Sequence, residues 1–82
     1  MLNIEYKENL LKKISKIKDK PDKEKIKKQI RKIIENPEIG KPMRYARKGT
    51  RELYIGSYRI AYSFIKNQNK IIFLDFYHKN KQ

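Results

Sequence analysis

The spacing of apolar residues changes midway along this chain of 82 residues. Between Leu10 and Ile34 the apolar positions recur every third or fourth residue, whereas from Leu53 to Tyr77 many of them alternate with other residues. The first pattern predicts helices with one apolar stripe, and the second predicts strands with one apolar face. Because each kind of element must bury its apolar side, the change of period predicts an α+β fold with helices packed on one face of a sheet.

Two helices are predicted between residues 9 and 36, joined by a short loop and therefore forming an antiparallel hairpin. Asn9 is expected to cap the first helix, and Pro21 is expected to end it. Asp19 or Asp22 is expected to cap the second helix, which the pair 36–37 (Asn-Pro) ends.

Four segments are predicted to be strands, one before the helical hairpin and three after it. The first is 1-MLNIEYK-7, which alternates like an edge strand, and the others are 53-LYIG-56, 57-SYRIAYSFI-65 and 70-KIIFLDFYHK-79. The predicted order is therefore β-α-α-β-β-β. The sheet is expected to be mainly antiparallel because short connections join the last three strands.

Arg59 interrupts the apolar pattern of 57-SYRIAYSFI-65. The residues of this strand that are expected to face the helices are Tyr58, Ile60, Tyr62 and Phe64. Arg59 then lies on the opposite face beside Ala61 and Ser63, where a chain this short has no second layer and a ligand could approach. The alternative is structural: Arg59 pairs with Glu52 or Asp75, and such an exposed pair contributes only about 0–1 kcal/mol.

The charge balance indicates what kind of partner the chain binds. It has 22 Lys and Arg against 9 Asp and Glu, a net charge of +13. This surplus favours a polyanionic partner, most often nucleic acid, and otherwise an acidic protein or an anionic membrane.

Residues 1–82 are expected to form a single domain. The absence of cysteine excludes disulfides and thiolate nucleophiles and fits a cytoplasmic protein, and no apolar run approaches a membrane span.

The single histidine, His78, is a weak candidate for a metal ligand. Its nearest carboxylate in sequence is Asp75, three residues away on a strand and therefore on the opposite face. No metal or other cofactor is expected. An acid–base pair of His78 with Glu52 stays open, because nothing in the spacing requires it.

The remaining candidates for functional side chains are basic residues. The basic residues of the second half that a sheet can gather from separate elements are Arg47, Lys48, Arg51, Arg59, Lys79 and Lys81. Arginine binds phosphate in a bidentate manner and stabilises charge that develops in a transition state. RNA cleavage by the neighbouring 2′-OH needs no nucleophile from the protein, and tyrosines can stack on single-stranded bases.

Three segments carry a resemblance to a known family: 36-NPEIGKPMR-44, 51-RELYIGSYRIAYSF-64 and 76-FYHKNKQ-82. In this order the chain resembles the RelE/ParE superfamily of toxin–antitoxin toxins. The resemblance implies a RelE-like fold and a toxin that cleaves mRNA on the ribosome. It also implies a hetero-oligomer with a cognate acidic, RelB-like antitoxin. The alternatives are a ParE-like toxin that inhibits DNA gyrase and a catalytically inactive basic RNA- or protein-binding module.

The resemblance also implies roles for individual residues. The catalytic set is Arg59, Lys79, Arg51 and Lys48, with Arg59 stabilising the transition state. The RNA-binding set is Arg44, Arg47, Lys81, Tyr77 and His78. The chain departs from the family pattern in two places. Glu52 stands where a catalytic lysine is expected, and no tyrosine follows Lys79, so Tyr77 or His78 would replace it.

Overall fold

The computed structural model describes residues 2–43 and 49–81, apart from the side chain of Lys81. The elements are β1 (Asn3–Tyr6), α1 (Glu8–Ser15), α2 (Lys20–Glu35), β2 (Lys41–Pro42), β3 (Thr50–Ile55), β4 (Tyr58–Ile65) and β5 (Lys70–His78). A 3₁₀ turn at Lys66–Gln68 connects β4 to β5, and a second one follows β5 at Lys79–Lys81.

The five strands form one sheet in the order β1-β5-β4-β3-β2. β1 pairs parallel with β5 at one edge, and every other pairing is antiparallel. The expected α+β fold, with a helical hairpin on a mainly antiparallel sheet, is confirmed. β2 is an additional strand of two residues, and it forms because Lys41 and Pro42 pair with Glu52 and Arg51.

The core lies between the helical hairpin and one face of the sheet. Ile60 and Tyr62 of β4 are fully buried there together with Leu10 of α1 and Ile26 and Ile33 of α2. Tyr58 and Phe64 pack against the same core, which confirms the predicted face of β4. Each of the fully buried aliphatic side chains stabilises the fold by about 1.5–3 kcal/mol relative to exposure.

Two predicted helix ends are wrong. Lys7, not Asn9, is the N-cap of α1, and Asn9 instead donates a hydrogen bond of 3.2 Å to Asp75 Oδ1. α1 already ends at Ser15, and Pro21 lies in the first turn of α2. Proline is tolerated there because the first N–H groups of a helix have no partner within it. The predicted end of α2 before Pro37 is confirmed.

A bulge in β5 decides which side chains share a face. Ala61 is opposite Asp75 and Tyr62 is opposite Phe73, so Leu74 has no partner in β4. The extra residue shifts the alternation, and Phe73 and Phe76 consequently both belong to the core. After the bulge, Tyr77 lies on the face away from the helices. This face of the sheet is called the open face below.

Candidate functional site

Arg59 lies on the open face, as predicted from the alternation of β4. Its cross-strand partners are Tyr54 of β3 and Tyr77 of β5. Directly opposite residues point to the same side of a sheet, so the three side chains share the open face. Ile60, the next residue, is buried under the helices.

The guanidinium of Arg59 lies between a carboxylate and an aromatic ring. Arg59 Nη1 is 3.7 Å from Glu52 Oε1, and Arg59 Cζ is 4.4 Å from the centre of the Tyr54 ring. The side chains of Arg59 and Glu52 are 23% and 12% exposed. A separation of 3.7 Å is longer than a hydrogen bond, and a guanidinium has five N–H donors. Arg59 therefore keeps donors for an oxyanion on the open face.

Tyr77 binds the other carboxylate oxygen. Its hydroxyl donates a hydrogen bond of 2.8 Å to Glu52 Oε2. Glu52, Tyr54, Arg59 and Tyr77 together form a group that spans three strands, called the open-face cluster below. The structural pairing of Arg59 with Glu52 is thus present. Pairing with Asp75 is wrong, since that carboxylate forms an ion pair of 2.8 Å with a lysine of α1.

Arg51 does not belong to this cluster, and its expected place beside Arg59 is wrong. It is opposite Tyr62, whose side chain is in the core, so it lies on the helix side of the sheet. Its Nη1 donates hydrogen bonds to Gly40 O at 2.8 Å and to Glu38 O at 3.0 Å. Successive side chains of a strand point to opposite faces of the sheet, so Arg51 and Glu52 of β3 lie on opposite sides.

His78 also lies on the helix side. It is opposite Tyr58, and the centres of the two rings are 5.5 Å apart. The acid–base pair with Glu52 is therefore wrong, because the sheet separates the two side chains. His78 Nδ1 accepts a hydrogen bond from the N–H of Asn80 at 3.3 Å.

Lys79 is exposed in the 3₁₀ turn that directly follows β5. Its backbone N–H donates a hydrogen bond of 2.8 Å to Ser57 O, which joins the end of β5 to the turn before β4. Lys79 is thus two residues after Tyr77 and next to the strand that carries Arg59. The backbone of Lys79 therefore lies beside Ser57, which is two residues before Arg59 in the chain.

The other predicted cations lie outside the described residues: Arg44, Arg47, Lys48 and the side chain of Lys81.

Within residues 2–43 and 49–81 there is no group of three or more histidine and acidic side chains arranged to hold a metal ion. No helix in the described part of the chain is long and apolar enough to cross a membrane.

The family model of the ParE toxin of type II toxin–antitoxin systems matches residues 4–82. The chain belongs to this toxin family. No curated protein sequence matches the chain.

Solved structures agree on the fold of the toxin. The intact E. coli RelBE toxin–antitoxin complex contains a similar chain, with a TM-score of 0.78, 19% identity and coverage of 95% of this chain and 96% of that one. The YoeB/ParE toxin from Agrobacterium tumefaciens is also similar, with a TM-score of 0.81, 15% identity and coverage of 94% of this chain and 98% of that one. E. coli YafQ has a TM-score of 0.80 and 17% identity, and the match covers 98% of this chain and 96% of YafQ. At these identities the likeness shows a shared fold.

The loop after α2 meets β4 on the helix side of the toxin, at Tyr62. The Tyr62 hydroxyl donates to Pro37 O and accepts from Gly40 N–H, both at 2.8 Å. A Cβ at Gly40 would lie 2.5 Å from this hydroxyl, so the close approach requires glycine. Burial raises the pKa of Tyr62 above its ordinary value, and the hydrogen bond with Gly40 partly offsets this. The contacts fix the loop between α2 and β2.

Two members of the open-face cluster were missed as site residues. From the sequence, Glu52 is interpreted as a departure from the family pattern or as an open acid–base partner of His78, and Tyr54 counts only among the tyrosines that can stack on single-stranded bases. The signal for both was the alternation of β3, because Glu52 and Tyr54 are two residues apart and share a face. Tyr77 was predicted to contact RNA, but its bond to Glu52 depends on the bulge at Leu74.

Proposed function

We propose that this toxin is an endoribonuclease that cleaves mRNA during translation and is neutralised by a cognate acidic antitoxin. One observation carries the proposal: a carboxylate and a guanidinium lie 3.7 Å apart on a sheet face that the helices leave uncovered. A base and a cation at this spacing suit the transfer of a proton from a 2′-OH next to a phosphate.

In this mechanism Glu52 is the general base and Arg59 stabilises the transition state. Glu52 takes the proton of the 2′-OH as the O2′–P bond forms. Arg59 donates to the non-bridging phosphate oxygens while negative charge develops on them. The P–O5′ bond then breaks, leaving a 2′,3′-cyclic phosphate and a 5′-oxygen that takes a proton from Lys79 or from water.

The two tyrosines of the open-face cluster have different roles in the proposal. Tyr77 positions the carboxylate of Glu52 through its hydrogen bond of 2.8 Å. Tyr54 is 50% exposed, so its ring can stack on a base of single-stranded RNA. His78 and Arg51 have no part in the chemistry, because both lie on the helix side of the sheet.

A second candidate function is inhibition of DNA gyrase. It is favoured by the charge state of the cluster, since Glu52 already balances the Arg59 cation at 3.7 Å. A cluster in which the carboxylate and the guanidinium balance each other beside two tyrosines suits contact with a protein better than contact with a phosphate. The family model that matches the chain is also named after the ParE toxin.

One experiment separates the two functions. Wild-type toxin, Arg59→Ala, Arg59→Lys and Glu52→Gln are added to a translating extract, and cleavage of mRNA is mapped by primer extension. Arg31→Ala is the matched control, because Arg31 is exposed on α2 on the far side of the sheet. We expect each of the three cluster variants to lose about 10²–10³-fold in cleavage rate, as expected for removal of one transition-state donor or of the base.

Gyrase supercoiling is measured in parallel with the same proteins. Unchanged cleavage bands in Arg59→Ala and Glu52→Gln contradict the ribonuclease mechanism. Intact mRNA together with blocked supercoiling assigns the second candidate function instead.

A further inference from the structure

The alternation of side chains along β5 breaks at Asp75 and Phe76. The carboxylate of Asp75 contacts α1, and the ring of Phe76 belongs to the core, so two successive side chains lie on the helix side. In an unbroken strand, successive side chains point to opposite faces. Continued alternation from Phe73 would therefore place Tyr77 on the helix side as well. The break is what turns Tyr77 to the open face, where its hydroxyl reaches Glu52.

The carboxylate of Asp75 spans this break. Its Oδ1 accepts a hydrogen bond of 2.8 Å from the backbone N–H of Phe76, the next residue. A bulge disrupts the ladder between strands, and a partly buried N–H beside it requires an acceptor. The bond satisfies this N–H and fixes the orientation of the peptide group that precedes Phe76. The backbone that leads to Tyr77 is thus held at the point where the strand is irregular.

Two side chains of α1 hold the carboxylate in place. Lys13 Nζ donates to Asp75 Oδ1 at 2.8 Å, and Asn9 Nδ2 donates to the same oxygen at 3.2 Å. Asn9 and Lys13 are four residues apart and therefore neighbours on one face of the helix. A hydrogen bond between ionised groups is stronger than one between neutral groups. The first helix thus fixes the irregular part of β5 from the side opposite to the open-face cluster.

We propose that Asp75 is a positioning residue for the open-face cluster, and that Asn9 and Lys13 keep its carboxylate in position. Asp75 acts through Tyr77, whose hydroxyl donates to Glu52 Oε2 at 2.8 Å. The effect on catalysis rests on the proposed ribonuclease function, because it requires a reaction at Glu52. The link from Asp75 to Tyr77 concerns the structure alone.

The bond from Tyr77 matters because the two oxygens of Glu52 have different neighbours. Oε2 accepts from Tyr77, while Oε1 lies 3.7 Å from Arg59 Nη1. A displaced Tyr77 releases Oε2, and the carboxylate can then turn and pair more closely with the guanidinium. That pairing would occupy N–H donors that the transition state needs. Small errors in the position of a catalytic group are costly, since a misplacement of about 1 Å can lower a rate about 10²-fold.

The first measurement concerns structure and does not depend on activity. Protein labelled with [13Cζ]tyrosine is studied by NMR, and Tyr77→Phe identifies the signal of Tyr77 among the six tyrosines. Because this carbon carries the hydroxyl, Glu52→Gln is expected to shift the signal. We expect Asp75→Ala to shift the signal too, and to abolish its response to Glu52→Gln.

Two further variants distinguish positioning from a general loosening of α1. Asp75→Asn keeps an oxygen for the N–H of Phe76 but loses the charge that Lys13 binds, so its Tyr77 signal should stay closer to wild type than in Asp75→Ala. Ile14→Ala is the matched control, because Ile14 packs on the core from the same helix. This variant should lose stability in urea and keep the Tyr77 signal at the wild-type position.

Cleavage of mRNA in a translating extract measures the effect on catalysis. Tyr77→Phe and Asp75→Ala are each expected to lower the rate about tenfold, the effect of one hydrogen bond. The double variant should lose no more than Tyr77→Phe alone, because Asp75 acts through the hydroxyl that phenylalanine lacks. Asp75→Ala should nevertheless lower the free energy of unfolding in both backgrounds. Ile14→Ala should cleave at the wild-type rate.

Three results overturn the proposal. They are an unchanged Tyr77 signal in Asp75→Ala, an equal shift of that signal in Ile14→Ala, and a loss of about a hundredfold in the double variant, the product of the two single losses. Absence of cleavage by the wild type contradicts the ribonuclease function and the catalytic effect of Asp75 with it. The NMR signal then still decides whether Asp75 positions Tyr77.

Discussion

Two arginines on neighbouring strands show how differently the two faces of the sheet use the same side chain. Arg51 lies on the helix side and donates to the carbonyl oxygens of Gly40 and Glu38. Arg59 lies on the open face, where a carboxylate and an aromatic ring hold it while N–H donors remain for a ligand. The face on which an arginine lies, rather than its position within a conspicuous motif, therefore separates the structural role of Arg51 from the chemical role proposed for Arg59.

The largest effect on stability is expected for Gly40→Ala on the helix side. The new Cβ would lie 2.5 Å from the Tyr62 hydroxyl and 2.7 Å from Tyr62 Cε1, and both are held by the buried ring. Overpacking of this kind costs about 3 kcal/mol, which urea unfolding will measure. A loss below about 0.5 kcal/mol would show that the loop can move away from Tyr62 at little cost.

Tyr62→Phe is expected to have the next largest effect. It removes the hydroxyl but leaves Gly40 N–H and Pro37 O without this partner, which costs about 2 kcal/mol. Because burial raises the pKa of Tyr62 above 10.0, its contribution is complete below that pH and is lost as the pH rises through the raised pKa. The stability difference between wild type and Tyr62→Phe should therefore shrink in alkaline solution. A difference that grows with pH would contradict this.

The main elements were predictable because burial of one apolar side dictates the spacing of residues within each. That rule gave both helices and the strands β1, β3, β4 and β5. It missed β2, since two residues of a loop become a strand only by pairing with Arg51 and Glu52. It also misplaced the end of α1, because Pro21 can either stop one helix or begin the next.

The site was predictable only in part. Alternation placed Arg59 on the open face correctly. The same alternation turns Arg51 to the other face, which conflicts with the catalytic role that the family resemblance implies for Arg51. The position of Tyr77 could not be derived, because a bulge at Leu74 depends on the register between β4 and β5 and leaves no mark in the periodicity.

Arg51→Ala sharpens the contrast between the two arginines. Loss of the hydrogen bonds to Gly40 O and Glu38 O is expected to lower the free energy of unfolding by about 1.5 kcal/mol, measured in urea. Catalysis by the folded protein should persist at the wild-type rate. A variant that keeps its stability but loses cleavage would return Arg51 to the catalytic set.

The smallest effect is expected for Glu5→Gln, on the open face far from the cluster. Hydrogen bonds from Lys7 and then Lys70 lower the pKa of Glu5 below its ordinary value of 4.5. Its contribution is therefore present above that pH and is lost as the pH falls through the lowered pKa. The wild type should be slightly more stable than Glu5→Gln at neutral pH, and the two unfolding curves should converge in acid. Curves that diverge in acid would contradict the assignment.

The most direct test of the two-face account replaces each arginine by lysine and records both unfolding and cleavage. Lysine keeps the charge but not the planar fork. Arg59→Lys should change stability by less than about 1 kcal/mol, because an ion pair with Glu52 can still form. Its mRNA cleavage should fall by about 10²-fold or more. Arg51→Lys should instead lose stability and keep cleavage. Loss of cleavage in Arg51→Lys with full activity in Arg59→Lys would contradict the account.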